Sequence, residues 1–429
     1  MSKQTTVWLP YTQMHTAPAP LEVVRTHQSD IFLADGRILT DAIASWWTAC
    51  HGYTPAHIIE AIQAQSAVLP HIMLGGLVHA GANTLAARLT QALPDSLNHV
   101  FFSESGSVAV EIALKIALQY WRNLGVPERQ RFLCFENGYH GDTFYAMSVC
   151  DPITGMHALF QPVLSPQHCL ALPTTEAELE ILEAWLKQHA HELAAAILEP
   201  LVQGAGGMKT HTPAMLKAII ELCQRYDVLI ILDEIFTGFW RTGSLFAFEQ
   251  AGVTPDILCL GKALTGGTLP LAATVASTTL YQAFLSTDPD KKLMHGSTFM
   301  GHALGCAAAN ASLDLFNQPP EVTGANGWVQ QIAAIEAQLL IQLSHLSNLP
   351  GVKAVRIKGA IGAIQLESPL TEAALITLKQ GFIEDGVWCR PFGDIVYTTP
   401  ALTIPPLALE KITTAMTKQV KHWSKKFYA

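Results

Sequence analysis

Two apolar runs end on side chains that a sheet does not normally bury. "VLIILDEIFTGFWRTG" (228–243) brings Asp233 to the end of one, and "DILCLGKALTGG" (256–267) brings Lys262 to the end of another, with Gly261 before it and Gly266 and Gly267 after it. Lysine is ordinarily solvated, and an ionised carboxylate in apolar surroundings is costly unless paired. Both runs read as strands of a parallel sheet, whose ligand sites lie at the carboxyl ends of the strands. Asp233 and Lys262 are separated by about one crossover unit, for which roughly 30 residues are typical. Opposite charges therefore reach the same sheet edge. On these two runs alone, a plain ion pair explains them as well as a ligand site does.

Two further stretches supply other functions. "FFSESGSVAVEIALKIA" (101–117) reads as a strand, a small polar turn at Gly106 and a helix. Backbone N–H groups at such a helix start bind anions, typically phosphate, and Ser107 adds a hydroxyl. An ordinary serine-capped turn is the alternative. "ENGYHGDT" (136–143) sets Tyr139 and His140 on a glycine-flanked loop after another strand. A ring there can stack on a flat ligand, or simply pack on its own loop. No G-x-x-x-x-G-K-[ST] run is present, and "QGAGG" (203–207) is too weak to mark a dinucleotide site. An amine, a buried acid, an anion cup and a stacking ring together meet the needs of one ligand, pyridoxal 5′-phosphate. Its aldehyde condenses with lysine, its ring nitrogen needs a carboxylate, its phosphate needs amide donors and its ring needs a flat neighbour.

The elements that must hold these groups follow from the pattern. Apolar runs at 99–103, 131–135, 194–200, 227–234, 256–262 and 271–277 alternate with helical periodicity in "SVAVEIALKIALQYW", "ELEILEAWLKQHA" and "PAMLKAIIELCQRY". That alternation predicts an α/β fold with a mostly parallel central sheet and helices on both faces. The ends differ. "IFLADGRILTDA" predicts a hairpin around Asp35–Gly36, and a turn-rich loop at 317–327 precedes a helical stretch, three strands and a final helix. We therefore expect a large α/β domain over 46–315 and a smaller α+β domain built from residues 1–45 and 316–429.

Composition narrows the function classes. The chain has 429 residues, 14% charged, with a net charge of −9, a poor match for a nucleic-acid binder, which usually carries a basic face. No apolar run reaches the roughly 18 residues of a membrane span, and the polar start lacks a secretory signal. Eight scattered cysteines without a C-x-x-C pair predict reduced thiols and a cytoplasmic protein. The histidines show no metal-ligating spacing, so no metal is expected.

"IILDEIFTGFWRTG" followed by "PDILCLGKALTGGTLPLAATV" resembles the signature of the fold-type I, class III aminotransferases. "WLPYTQM", "ASWWTACHGY", "NGYHGDTFYAMSVCDP", "EPLVQGAGGM", "MHGSTFMGHALGCAAANASL" and "VWCRPFGDIVYTTP" carry the resemblance from about residue 8 to about 405. It implies that Lys262 condenses with the cofactor and carries its protons, and that Asp233 keeps the ring nitrogen protonated. It gives Gly106 and Ser107 to the phosphate and Tyr139 to the ring and substrate. Ser297 and Thr298 would reach the phosphate from the partner subunit of a homodimer with shared active sites, and Gly296 would line the substrate channel. Arg390 would clamp a substrate carboxylate, a bidentate task suited to arginine, while Tyr11 and Trp46 shape the pocket. The implied reaction is a ping-pong transfer of an amino group from S-adenosylmethionine to 8-amino-7-oxononanoate. Another class III ω-amino-acid aminotransferase, a semialdehyde aminomutase and a binding protein that merely keeps the fold are the alternatives. Arg241 is open between a structural and a substrate-facing role, and Asp142 and Glu199 are supporting acids without an assigned task. Three positions depart from the class pattern: Leu9 replaces an expected histidine, Trp240 a glycine and Ser297 a proline.

Overall fold

The computed structural model describes residues 6–153, 155–318 and 327–428. Most of the turn-rich loop at 317–327 thus lies outside the described residues. At the centre is a seven-stranded sheet in the order Leu97–Ser103, Ala272–Ser277, Ile257–Leu260, Leu229–Asp233, Leu193–Leu198, Arg131–Phe135, His168–Leu170. Its pairings are parallel except at Ala272–Ser277, which runs antiparallel to both neighbours.

The continuous apolar runs have a direct cause. Side chains alternate between faces along a strand, and both faces here are covered. Ile231, Ile257 and Cys259 join Val110, Ile112 and Ala113 of the Gly106–Asn123 helix in one buried cluster. Ile230, Leu232, Leu258 and Leu260 face the other way, in the cluster that contains Leu216, Ile219 and Ile220 of the Pro213–Arg225 helix. Neither face meets water, so neither needs polar positions.

The two ends of the chain meet. The strands Val23–His27, Asp30–Leu33 and Ile38–Asp41 form an antiparallel set turned at Gly36, whose φ is +88°. Val387–Trp388 adds to it in parallel, pairing with Thr40 and Asp41. A second antiparallel sheet joins Val352–Lys358, Ile361–Leu366 and Ile395–Thr398, and the chain closes with the Pro406–Tyr428 helix.

The strands that end at Asp233 and Leu260 are adjacent and in register, with Asp233 opposite Cys259. The segment between them is a series of turns with a short 3-10 piece at Ala247–Ala251. Glu234 pins it. Its buried carboxylate accepts the N–H of Ala247 and of Phe248, each at 2.8 Å, and the Thr237 hydroxyl at 3.2 Å. Burial pushes this acid up to about 8, while its three donors favour the ionised form. Glu234→Gln replaces an acceptor with an NH₂ group that faces those donors. It should cost about 1–3 kcal/mol and lower the thermal midpoint of the purified protein.

Candidate active site

Lys262, Asp233, Tyr139, Gly106 and Ser107 line one pocket, together with Trp47, His140, Gly141, Glu199 and Phe236. The fold brings them there from the ends of five strands of the central sheet, with Trp47 added from the turn that follows Ile38–Asp41. Lys262 follows the Ile257–Leu260 strand and opens a short turn with left-handed backbone, φ +46°. Gly266, at φ +60°, ends that turn in a conformation natural to glycine.

Asp233 does not pair with the lysine. Its Oδ2 lies 2.8 Å from His140 Nδ1, and its Oδ1 accepts the Ile235 N–H at 3.1 Å. The two side chains are 1% and 5% exposed, so a charge-bearing contact is enclosed at the pocket floor. Among the described residues no carboxylate comes within ion-pair distance of the Lys262 amine. Aromatic rings surround it instead, with Trp47 at 4.5 Å and Phe236 at 6.0 Å from Nζ to the ring centroids. Desolvation lowers the amine from 10.5 to about 8, against the weaker pull of Asp233, Glu199 and Asp142. Glu199 accepts the N–H of Gly204 at 2.8 Å and of Tyr139 at 3.2 Å. Burial raises it to about 7, so its charge is balanced near neutrality.

The anion cup is present. Among the described residues no protein acceptor meets the backbone N–H of Gly106 or Ser107 at the first turn of an 18-residue helix. Ser107 Oγ accepts the Asp142 N–H at 3.0 Å, which leaves its own proton to give to an anion. Bulk is excluded on two sides. A Cβ on Gly106 would meet Ile235 at 3.0 Å, and one on Gly141, at φ +128°, would meet Ser107 Oγ at 2.3 Å. These residues fit pyridoxal phosphate: an acid for its ring nitrogen, a partly neutral amine for its aldehyde, and donors for its phosphate.

Above the pocket, three donors converge on Asp142 Oδ1: the hydroxyls of Tyr11 at 2.6 Å and Tyr139 at 2.9 Å, and His157 Nε2 at 2.8 Å. The His157 bond is the main cause that holds Asp142 below the usual carboxylate range. Burial raises both phenols, Tyr11 to about 12, so both remain donors. Tyr139 stacks on the His157 ring at 5.6 Å.

Trp46 is not among the residues that line the Lys262 pocket. It carries the Arg390 guanidinium 4.6 Å over its ring, with Tyr11 edge-on at 6.4 Å. The neighbouring Trp47 is the indole against Lys262. Arg241 is buried and donates to the carbonyls of Pro400 at 2.7 Å and Ala360 at 3.3 Å, a tie between the central sheet's loop and the C-terminal segment. Gly296, Ser297 and Thr298 are not part of this chain's pocket. Ser297 donates to Glu104 at 2.7 Å, and its two neighbours are exposed. Sequence reasoning missed Trp47, His140 as the partner of Asp233, and His157. His140 stands in the glycine-flanked loop already singled out, whereas nothing around His157 marks it.

The lowered amine has a kinetic consequence. Capture of pyridoxal phosphate by the cofactor-free protein needs the neutral amine, so its rate should rise with pH through about 8 and level off above it. Stopped-flow absorbance checks this, and Lys262→Ala should abolish the capture signal. A rate still climbing toward 10.5, the value of an ordinary lysine, would contradict the buried geometry.

Residues 11–420 match the family model of the class-III aminotransferases. The chain is 42% identical over 421 residues to the adenosylmethionine-8-amino-7-oxononanoate aminotransferase of Mycobacterium leprae, covering 96% of this chain and 94% of that one. The crystal structure of the like-named enzyme from Methanocaldococcus jannaschii superposes with a TM-score of 0.90 at 33% identity, covering 97% of each chain. A PLP-bound amine transaminase from an uncultivated Pseudomonas species gives 0.88 at 31% identity, covering 97% of this chain and 99% of that one. On sequence and fold alike, this chain belongs to the class III aminotransferase family.

Proposed function

We propose that the protein uses pyridoxal 5′-phosphate to move an amino group from S-adenosylmethionine to 8-amino-7-oxononanoate, giving 7,8-diaminononanoate for biotin synthesis. The observation that carries this reading is the near full-length likeness to relatives named for that reaction. The pocket supports it. The cofactor supplies an aldehyde carbon that accepts nitrogen and a ring that delocalises the electrons left when a substrate carbon loses its proton. Asp233, fixed by His140, would hold a proton at the ring nitrogen. Gly106 and Ser107 would give their N–H groups to the phosphate, and the Tyr139 ring would serve as the flat neighbour of the cofactor ring. The neutral Lys262 amine would take the proton from the substrate carbon and pass it to the carbon that had been the cofactor's aldehyde.

Substrate recognition falls to the groups above the pocket. Arg390, backed by Trp46, binds the carboxylate of the oxo acid, and the chain between that carboxylate and the reacting carbon gains roughly 0.8 kcal/mol per buried CH₂. Tyr11 and Tyr139, locked on Asp142, face the bound amine. Gly296, Ser297 and Thr298 serve the neighbouring site of a homodimer. In support, the exposed apolar residues Met294 and Phe299 flank that segment, and Phe299 packs on His71 at 4.6 Å. Eight free cysteines suit the cytoplasm, and among the described residues no helix is long and apolar enough to cross a membrane.

A two-substrate assay tests the reading: S-adenosylmethionine or lysine as donor, 8-amino-7-oxononanoate as acceptor. Turnover with S-adenosylmethionine is expected. Turnover of β-alanine or putrescine with pyruvate, and none with the nonanoate, would move the chain to the ω-amino-acid enzymes. Arg390→Ala should raise the acceptor KM by about 10- to 150-fold, the loss of one charge-assisted contact of about 1.5–3 kcal/mol, with little change for an acceptor that lacks the carboxylate.

A further inference from the structure

Four successive non-glycine residues, Ala44, Ser45, Trp46 and Trp47, have left-handed backbone, with φ of 44°, 50°, 54° and 75°. L-residues visit this region singly, seldom in runs, and such strain persists only where the surroundings over-determine it. Backbone bonds from the Trp47 N–H to the Ile43 carbonyl and from the Thr48 N–H to the Ala44 carbonyl, each at 2.8 Å, close the turn, and Asp41 braces its start. Its buried carboxylate accepts the Ile43 N–H at 2.8 Å through Oδ1. Through Oδ2 it accepts the Ser45 N–H at 2.8 Å and the Tyr53 hydroxyl at 2.6 Å. The turn's amides thus converge on one carboxyl group. On the far side the Thr48 hydroxyl donates to the Ser45 carbonyl at 2.9 Å.

The turn serves both ends of the site. Trp47 is buried, with its ring 4.5 Å from Lys262 Nζ and 4.1 Å from the Phe236 ring. Trp46, the next residue back, is exposed and lies under Arg390 and beside Tyr11. Handedness decides this division, because it sets the sense in which consecutive side chains step around the axis. A right-handed turn at the same place would send one of the two indoles elsewhere.

We propose that Asp41 is a positioning residue for the reaction: by holding the left-handed turn it sets Trp47 against the Lys262 amine and Trp46 under Arg390. The Arg390 half rests on the reading of that residue as the carboxylate anchor. Asp41 touches neither substrate nor cofactor; it acts through the two indoles.

The test compares Asp41→Asn, Ser45→Gly and the double variant in the full-length, cofactor-loaded enzyme. Asparagine keeps the shape but turns a donor toward the turn's N–H groups. Glycine adopts the left-handed conformation without steric cost, and the Ser45 side chain is exposed. Asp41→Asn should raise the acceptor KM about tenfold and lower kcat, with the oxononanoate as acceptor, and Ser45→Gly should restore much of both. The thermal midpoint of the cofactor-free protein should show the same rescue. A kcat that falls only with the folded fraction, at unchanged KM, would make Asp41 merely structural and overturn the proposal. So would a double variant no better than Asp41→Asn. If the wild type does not use the nonanoate, the substrate reading fails by itself. The KM for pyruvate and the midpoint rescue in the cofactor-free protein then decide the role of Asp41.

Discussion

The Asp233 carboxylate sets the terms for the rest of the structure. It stands at the end of an apolar strand with little access to water, where an unmatched charge would take up a proton. Its matches come from the His140 ring and the Ile235 N–H, not from the lysine one strand away. That choice keeps two functions apart within one pocket. The acid keeps a buried donor partner, and the Lys262 amine is left among aromatic rings, partly neutral and able to react. Had the two paired, each would have quenched the other.

The same separation recurs outward. Asp142 draws three donors onto one oxygen, which fixes two tyrosines and a histidine around the entrance. Arg390 lies over the Trp46 indole that Tyr11 meets edge-on, and gives one N–H to the Pro10 carbonyl at 3.4 Å. Between Lys262 and Arg390 runs the strained turn at Ala44–Trp47, with Trp47 against the one and Trp46 under the other. Four left-handed residues at roughly 1–2 kcal/mol each form a large local cost, offset in part by a buried carboxyl group that accepts two N–H groups and a hydroxyl. Strain of this size, placed between the two ends of a site, is where precision is being enforced.

Much of this was legible in the sequence because a strand leaves a direct mark. The run at 131–135 matches its strand residue for residue, and Asp233 and Lys262 were placed at one sheet edge from apolar length and spacing alone. Direction left no mark. The run at 271–277 reads like its neighbours, yet its strand is antiparallel, since alternation says nothing about polarity. The Val387–Trp388 strand, only two residues long, is too short to show a period, so its union with Ile38–Asp41 could not be read. In the site, Gly106, Ser107 and Tyr139 were found because each sits on a strand-to-helix or strand-to-loop turn with a recognisable pattern. The hidden part lies in contacts made by folding. Two adjacent tryptophans gave no sign of which would meet the amine, because that depends on a left-handed turn braced by Asp41. The His157 contact with Asp142 joins a loop segment to a strand end with no local signature at all.

The central claim is that Lys262, and no other lysine, meets the cofactor in the pocket that Asp233 closes. Borohydride reduction of the pyridoxal phosphate-loaded protein, followed by proteolysis and mass spectrometry of the labelled peptide, tests it most directly. The account predicts one label per chain, on Lys262, and its marked loss in Asp233→Asn protein under the same loading. A label on another lysine, or none on Lys262 in fully active enzyme, would contradict it.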